Sequence, residues 1–191
     1  MLANIPGIVL AAGHSRRMGR CKALLPLQGR PLVMWHTDRL ARAGFRPLIV
    51  SDTDHALISA SCPGAEHLHA PGASDGQPID SLRRALLTLA TPRGALVMPV
   101  DIAPPTPEVL EALLPHADLV PVGPDGLKGH PVRISAHTCD AIRAAPPLGG
   151  LRTLLRGAST CLVNHSVSRD FDTPQSWAVF EDEWRKRGGG G

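Results

Sequence analysis

The chain has 191 residues, 43% of them apolar and 19% charged, with 20 Lys and Arg against 17 Asp and Glu. Such a composition excludes a disordered chain and supports one domain with a sizeable core. Three Trp, three Phe and no Tyr argue against an aromatic stacking platform for single-stranded nucleic acid, and a net charge of +3 does not call for DNA or RNA as a partner.

The first apolar run, Ile5 to Ala12, has no Lys or Arg before it and basic residues after it, the reverse polarity of a secretory signal. It is also far shorter than the ~20 residues of a membrane span, so it reads as a buried strand. Cys21, Cys62, Cys139 and Cys161 form no CxxC pair, which leaves neither a zinc knuckle nor a redox dithiol. Reduced thiols in a cytoplasmic protein, without a membrane partner, are the expectation.

Along the chain, strands are expected at Gly7–Ala11, Pro47–Ser51, Ala95–Val100, Leu119–Gly123, Pro131–Ser135 and Cys161–Val167. Helical spacing connects Ile79, Leu82, Leu86 and Leu89, then Val109, Leu110, Leu113 and Leu114, and finally Trp177, Phe180 and Trp184. Strands alternating with helices imply an α/β fold, a Rossmann-like three-layer sandwich with a mostly parallel sheet. Residues 1–187 are read as one domain and 188–191 as a flexible tail. In such sheets ligands bind beyond the carboxyl ends of the strands, so the loops there are where chemistry is sought.

After the first strand come Gly13 and Gly19, with Arg16, Arg17, Arg20 and Lys22 between and beyond them. This pattern suits a polyanion held by backbone N–H groups and cations, and a nucleoside triphosphate is its natural guest. It suits a solvated basic loop equally well. The spacing fits neither a Walker A loop, which needs one residue fewer between its glycines, nor a GxGxxG fingerprint.

The run Leu10-Ala-Ala-Gly-x-Ser-x-Arg-Met-Gly-x-x-Lys22-x-Leu-Leu-Pro-x-x-Gly29-x-Pro31-Leu32 resembles the signature of the MobA-like nucleotidyltransferases. The resemblance implies a GT-A type fold and Mg²⁺-dependent transfer of a nucleotidyl group from an NTP to an acceptor phosphate. On it, Leu10, Ala11, Ala12, Gly13, Ser15, Arg16 and Gly19 bind the nucleotide, while Arg17 and Lys22 meet the triphosphate. Lys22 would stabilise charge as pyrophosphate leaves.

Shorter segments further on look like the rest of the family pattern. Gly76, Gln77 and Ser81 fall in a segment similar to the loop holding base and ribose, though that segment also reads as an ordinary helix start with Pro78 at an early position. Asp101, ending a buried strand, is similar to the family's metal-binding Asp, despite Ile102 and Ala103 standing before Pro104; a turn Asp is the alternative. Asp170-Phe-Asp-Thr-Pro174 resembles a segment whose carboxylates complete the metal site, with Asp170 or Asp172 as the ligand. Asp172 or Thr173 could equally cap a helix. His130, Gly150 and Arg152 match short acceptor-side elements.

The resemblance implies nucleotidyl transfer to molybdopterin or its metal-loaded form, possible association with a molybdoenzyme, and the same chemistry on a sugar or polyol phosphate as an alternative. A non-catalytic chaperone that binds nucleotide is the reading from another class. CTP is expected over GTP, because Ala12 replaces a glycine typical of the guanylyl branch and Gly76-Gln-Pro-Ile-Asp-Ser departs from that branch's segment.

Overall fold

The computed structural model describes residues 5–90, 93–115, 117–145 and 149–186; the expected 188–191 tail lies outside these. In chain order the elements are β1 (Pro6–Ala11), β2 (Pro26–Leu27), β3 (Arg30–Pro31), α1 (Leu32–Arg42), β4 (Arg46–Ser51), α2 (His55–Ser61), β5 (Glu66–His69) and α3 (Pro78–Thr88). They continue with β6 (Gly94–Pro99), α4 (Pro107–Ala112), β7 (Leu119–Val122), β8 (Val132–Ser135), α5 (Ala136–Ala144), α6 (Leu151–Leu154), β9 (Ser159–Leu162) and α7 (Pro174–Lys186).

The main sheet runs β5-β4-β1-β6-β8-β7-β9, with β2 and β3 forming a separate small hairpin. All pairings in the main sheet are parallel except those of β8, which opposes both β6 and β7. The expected α/β sandwich with a mostly parallel sheet is what the chain forms. Alternation along the strands sends Ile8, Leu48, Val50 and Val97 to one face, under Leu82 and Leu86 of α3 and Ile142 of α5. Val9, Ile49, Leu96 and Met98 face the other way, under Val33 and Leu40 of α1 and Leu110 of α4. Two buried faces explain why these strands read as continuous apolar runs.

A third cluster gathers Met18, Leu25, Leu27 and Leu32 with Phe171, Trp177, Phe180 and Trp184 of the C-terminal segment. Phe171 and Phe180 stack at 4.2 Å, and Trp184 meets Trp35 edge-on at 5.5 Å. The scarce aromatics are thus spent on docking α7 beside the basic loop.

One expected strand needs correction, and several elements, among them β5, α1, α2 and α5, were not expected. The last strand is Ser159–Leu162, not Cys161–Val167, although Val163 and Val167 are buried against the sheet. β5 was not expected, because Glu66-His-Leu-His69 is polar and lies at a sheet edge. Nor was α1, whose buried face includes His36, Thr37 and Arg39 and so interrupts the apolar spacing.

Candidate active site

The carboxyl ends of β1 and β6 adjoin, and the loops leaving them build the site. Beyond β1 the chain turns through Ser15, at φ 51°, whose carbonyl accepts from the amides of Met18 and Gly19 at 3.0 Å. Gly19 takes φ 73°, a backbone conformation that favours glycine. Gly13 needs no such angle; a side chain there would meet open space. Its value is room beside the backbone. Ser15 Oγ accepts from the Lys22 amide at 3.2 Å and fixes where the lysine begins.

Lys22 Nζ donates to Asp101 Oδ2 at 2.7 Å and to Asp172 Oδ1 at 2.6 Å. Arg17 Nη2 pairs with the other oxygen of Asp172 at 2.5 Å. Residues distant in sequence converge because Phe171, fully buried, donates its amide to the Asp101 carbonyl at 2.7 Å, while Ile102 and Asp170 form a bridge. Burial presses the Lys22 ammonium towards neutrality, but its bonds to Asp101 and Asp172 outweigh this and hold its pKa above the usual lysine value. The bond from Lys22, with help from Arg17, keeps the Asp172 carboxyl below the ordinary carboxylate range.

This cluster edges a cavity of about 160 Å³ lined by Leu10, Ala11, Ala12, Gly13, Ser15, Lys22, Gly76, Ser81 and Asp101. Leu10, Pro78 and Pro99 are shared with a larger neighbouring cavity of about 750 Å³, which Gln77, His130, Gly150 and Arg152 also line. Two adjoining cavities, one walled by Lys22 and the other by Arg152, suit a two-substrate transfer.

Some expected residues stand elsewhere. Arg16 and Gly19 are exposed and line neither cavity. Arg17 reaches Asp172 instead of a cavity wall. Asp170 is exposed and, among the described residues, forms no ion pair; Asp172 is the carboxylate that joins Asp101. Ala12 has 6% exposure and packs into the core cluster with Ile8 and Val50, so its methyl offers little surface to a base. Thr173, with Ser176, makes the expected cap ahead of Pro174.

Sequence reasoning missed other contributors. Asp52, at the end of β4, accepts from the Ser74 amide at 2.9 Å, and the Ser74 bonds lower its pKa. His14 Nε2 lies 2.9 Å from Asp75 Oδ1, tying the basic loop to the segment before α3. A carboxylate just after a buried strand was the available signal for Asp52. Nothing local in sequence announced the His14 contact. Cys21 also lines the smaller cavity, but burial and its bond to Asp54 push the thiol up to about 11, which keeps it protonated.

An α/β sheet with a glycine- and cation-rich loop at its carboxyl edge is an arrangement that nucleotide-binding α/β proteins use. Residues 7–165 match the model of the MobA-like NTP transferase domain, and the chain belongs to that family. It is 34% identical over 99 residues to a molybdenum cofactor guanylyltransferase of Xanthomonas euvesicatoria, a match covering 50% of this chain and 46% of the relative. It is 30% identical over 118 residues to a probable molybdenum cofactor guanylyltransferase of a Nostoc species, covering 62% of this chain and 56% of that one. The chain therefore spans about half the length of the curated relatives it matches. The crystal structure of a homologue of Mycobacterium tuberculosis Rv0371c, from Mycobacterium strain JC1, has the same fold. It gives a TM-score of 0.83 at 23% identity, covering 98% of this chain and 100% of the other. No helix among the described residues is long and apolar enough to cross a membrane.

Proposed function

We propose that the chain transfers the nucleotidyl group of GTP to the phosphate of a molybdopterin-type acceptor and releases pyrophosphate. The observation that carries this reading is Lys22, held by Asp101 and Asp172 at the wall of the smaller cavity, which shares Leu10, Pro78 and Pro99 with the larger. The triphosphate would occupy the smaller cavity, against the Gly13 backbone and Ser15. The acceptor would occupy the larger, with Arg152 for its phosphate and the Gly150 backbone at the start of α6.

In the proposed step an acceptor phosphate oxygen attacks the donor α-phosphorus in line. The bond from that phosphorus to the bridging oxygen breaks, and pyrophosphate departs with the electron pair. Lys22 neutralises charge that develops on the phosphoryl oxygens, and the cavity walls hold the reactants in line. No covalent enzyme intermediate is needed.

The family resemblance also implies Mg²⁺. Asp101 and Asp172 fit it, since their oxygens already converge on one positive charge, and a hard cation shared with phosphates needs only one or two carboxylates. A divalent ion there would neutralise the phosphates and orient them.

GTP is preferred because the curated relatives carry guanylyltransferase names and because Ala12 presents so little surface to a base. CTP then rests on the segment before α3 alone. Pyrophosphate release with molybdopterin, measured with GTP and CTP in competition, tests the choice. We expect kcat/KM for GTP to exceed that for CTP by about tenfold or more. A CTP preference would reverse the assignment, and nucleotide binding without pyrophosphate release would favour the chaperone reading. Asp101→Asn should lower kcat/KM by about 10²-fold while leaving the fold intact.

A further inference from the structure

Lys22 and a divalent ion would compete for the same two carboxylates. Nζ takes Oδ2 of Asp101 at 2.7 Å and Oδ1 of Asp172 at 2.6 Å, while Arg17 takes the remaining oxygen of Asp172 at 2.5 Å. The lysine side chain is 12% exposed, so the ammonium is largely enclosed and its attraction to the carboxylates is poorly screened. Among the described residues, no group of three or more His, Cys, Asp or Glu is arranged to hold a metal. Protein ligands here amount to two carboxylates, both already neutralised by cations of the chain.

Resting on the reading of Asp101 and Asp172 as metal ligands, we propose that Lys22 is a built-in counter-cation that keeps the nucleotide-free protein from taking up a divalent ion. The triphosphate releases the site. Its oxygens compete for Nζ, and they also supply ligands that two carboxylates cannot. Lys22 lines the same cavity as Gly13 and Ser15, so its flexible stem can exchange carboxylate for phosphate without backbone movement. Nucleotide and metal therefore bind with positive coupling, each strengthening the other.

Water-proton relaxation with Mn²⁺ tests this on the whole chain, with and without a non-hydrolysable GTP analogue. Wild-type protein should bind Mn²⁺ weakly alone and about tenfold or more tightly with the analogue. Lys22→Met should bind Mn²⁺ alone about tenfold or more tightly than wild type, and Asp101→Asn in that background should abolish the gain. Lys22→Gln, which keeps a donor beside the carboxylates, gives the same comparison if the Met variant folds poorly. A rise in thermal midpoint with Mn²⁺ in the Lys22 variants, but not in wild type, is the matching stability result. Equal Mn²⁺ affinity in wild type and both Lys22 variants, with Asp101→Asn still weakening binding beside the analogue, would overturn the counter-cation role and leave the metal site standing. If Asp101→Asn left Mn²⁺ binding beside the analogue unchanged, the metal reading would fall as well.

Discussion

His36 sits fully buried on α1, its Nε2 donating at 3.1 Å to the carbonyl of Val100, one residue before Asp101. It helps position the strand end from which the carboxylate projects. Burial lowers its pKa to about 4, against some opposition from the Val100 carbonyl and the nearby Asp101 charge. The unfolded chain therefore takes up this proton first as pH falls. The group's contribution to stability is complete above pH 6.5 and declines progressively towards about 4. Between pH 7 and pH 5 this one residue should cost about 2 kcal/mol of folding stability. Urea unfolding at the two pH values checks it, since His36→Gln should lose less stability than wild type by about that amount. Half-buried His130 has its pKa lowered in the same sense, chiefly by desolvation, and remains as background in both proteins.

At the scale of elements, the turn between β7 and β8 is the tightest fit beside the larger cavity. The Gly129 amide donates to the Pro121 carbonyl at 3.1 Å and the His130 amide to the Val167 carbonyl at 2.8 Å. A Cβ on Gly129 would lie 1.8 Å from the Val167 carbonyl oxygen, so backbone has to move. Gly129→Ala should destabilise by about 2 kcal/mol or more and raise KM for the acceptor while barely changing KM for the nucleotide. Denaturant midpoints and steady-state kinetics separate the two effects. Elements of this kind differ in how far sequence reveals them. β1, β4, β6 and α3 were legible because both sheet faces are buried and their apolar spacing is unbroken. α5 was hidden, as Thr138 and Cys139 occupy its buried side. The basic loop was legible from its glycines and cations. Its partnership with Asp101 and Asp172 was not, because Phe171 creates it by burying itself between segments remote in sequence. Alternation alone left Asp170 and Asp172 equivalent; Asp170 pairs by backbone with Ile102 and stays exposed, whereas the Asp172 side chain meets Lys22 and Arg17.

Across the whole molecule, stability should be graded by distance from β1. That strand pairs with β4 on one side and β6 on the other, and the faces of all three are covered by helices. β9 lies at the sheet edge and is largely exposed, with Leu162 at 85%. Native-state hydrogen exchange should show amides of β1, β4 and β6 opening only with global unfolding, while β9 exchanges through local opening. Protection in β9 equal to that in β1 would contradict this gradient.

The aromatic cluster also gives the protein an optical bias. With no Tyr in the chain, near-ultraviolet emission comes from Trp35, Trp177 and Trp184. All three belong to the cluster around Phe171, the residue next to Asp172, and none lies in the helices covering the opposite sheet face. Intrinsic fluorescence of this protein therefore reports one flank of the candidate site and is nearly blind to the rest.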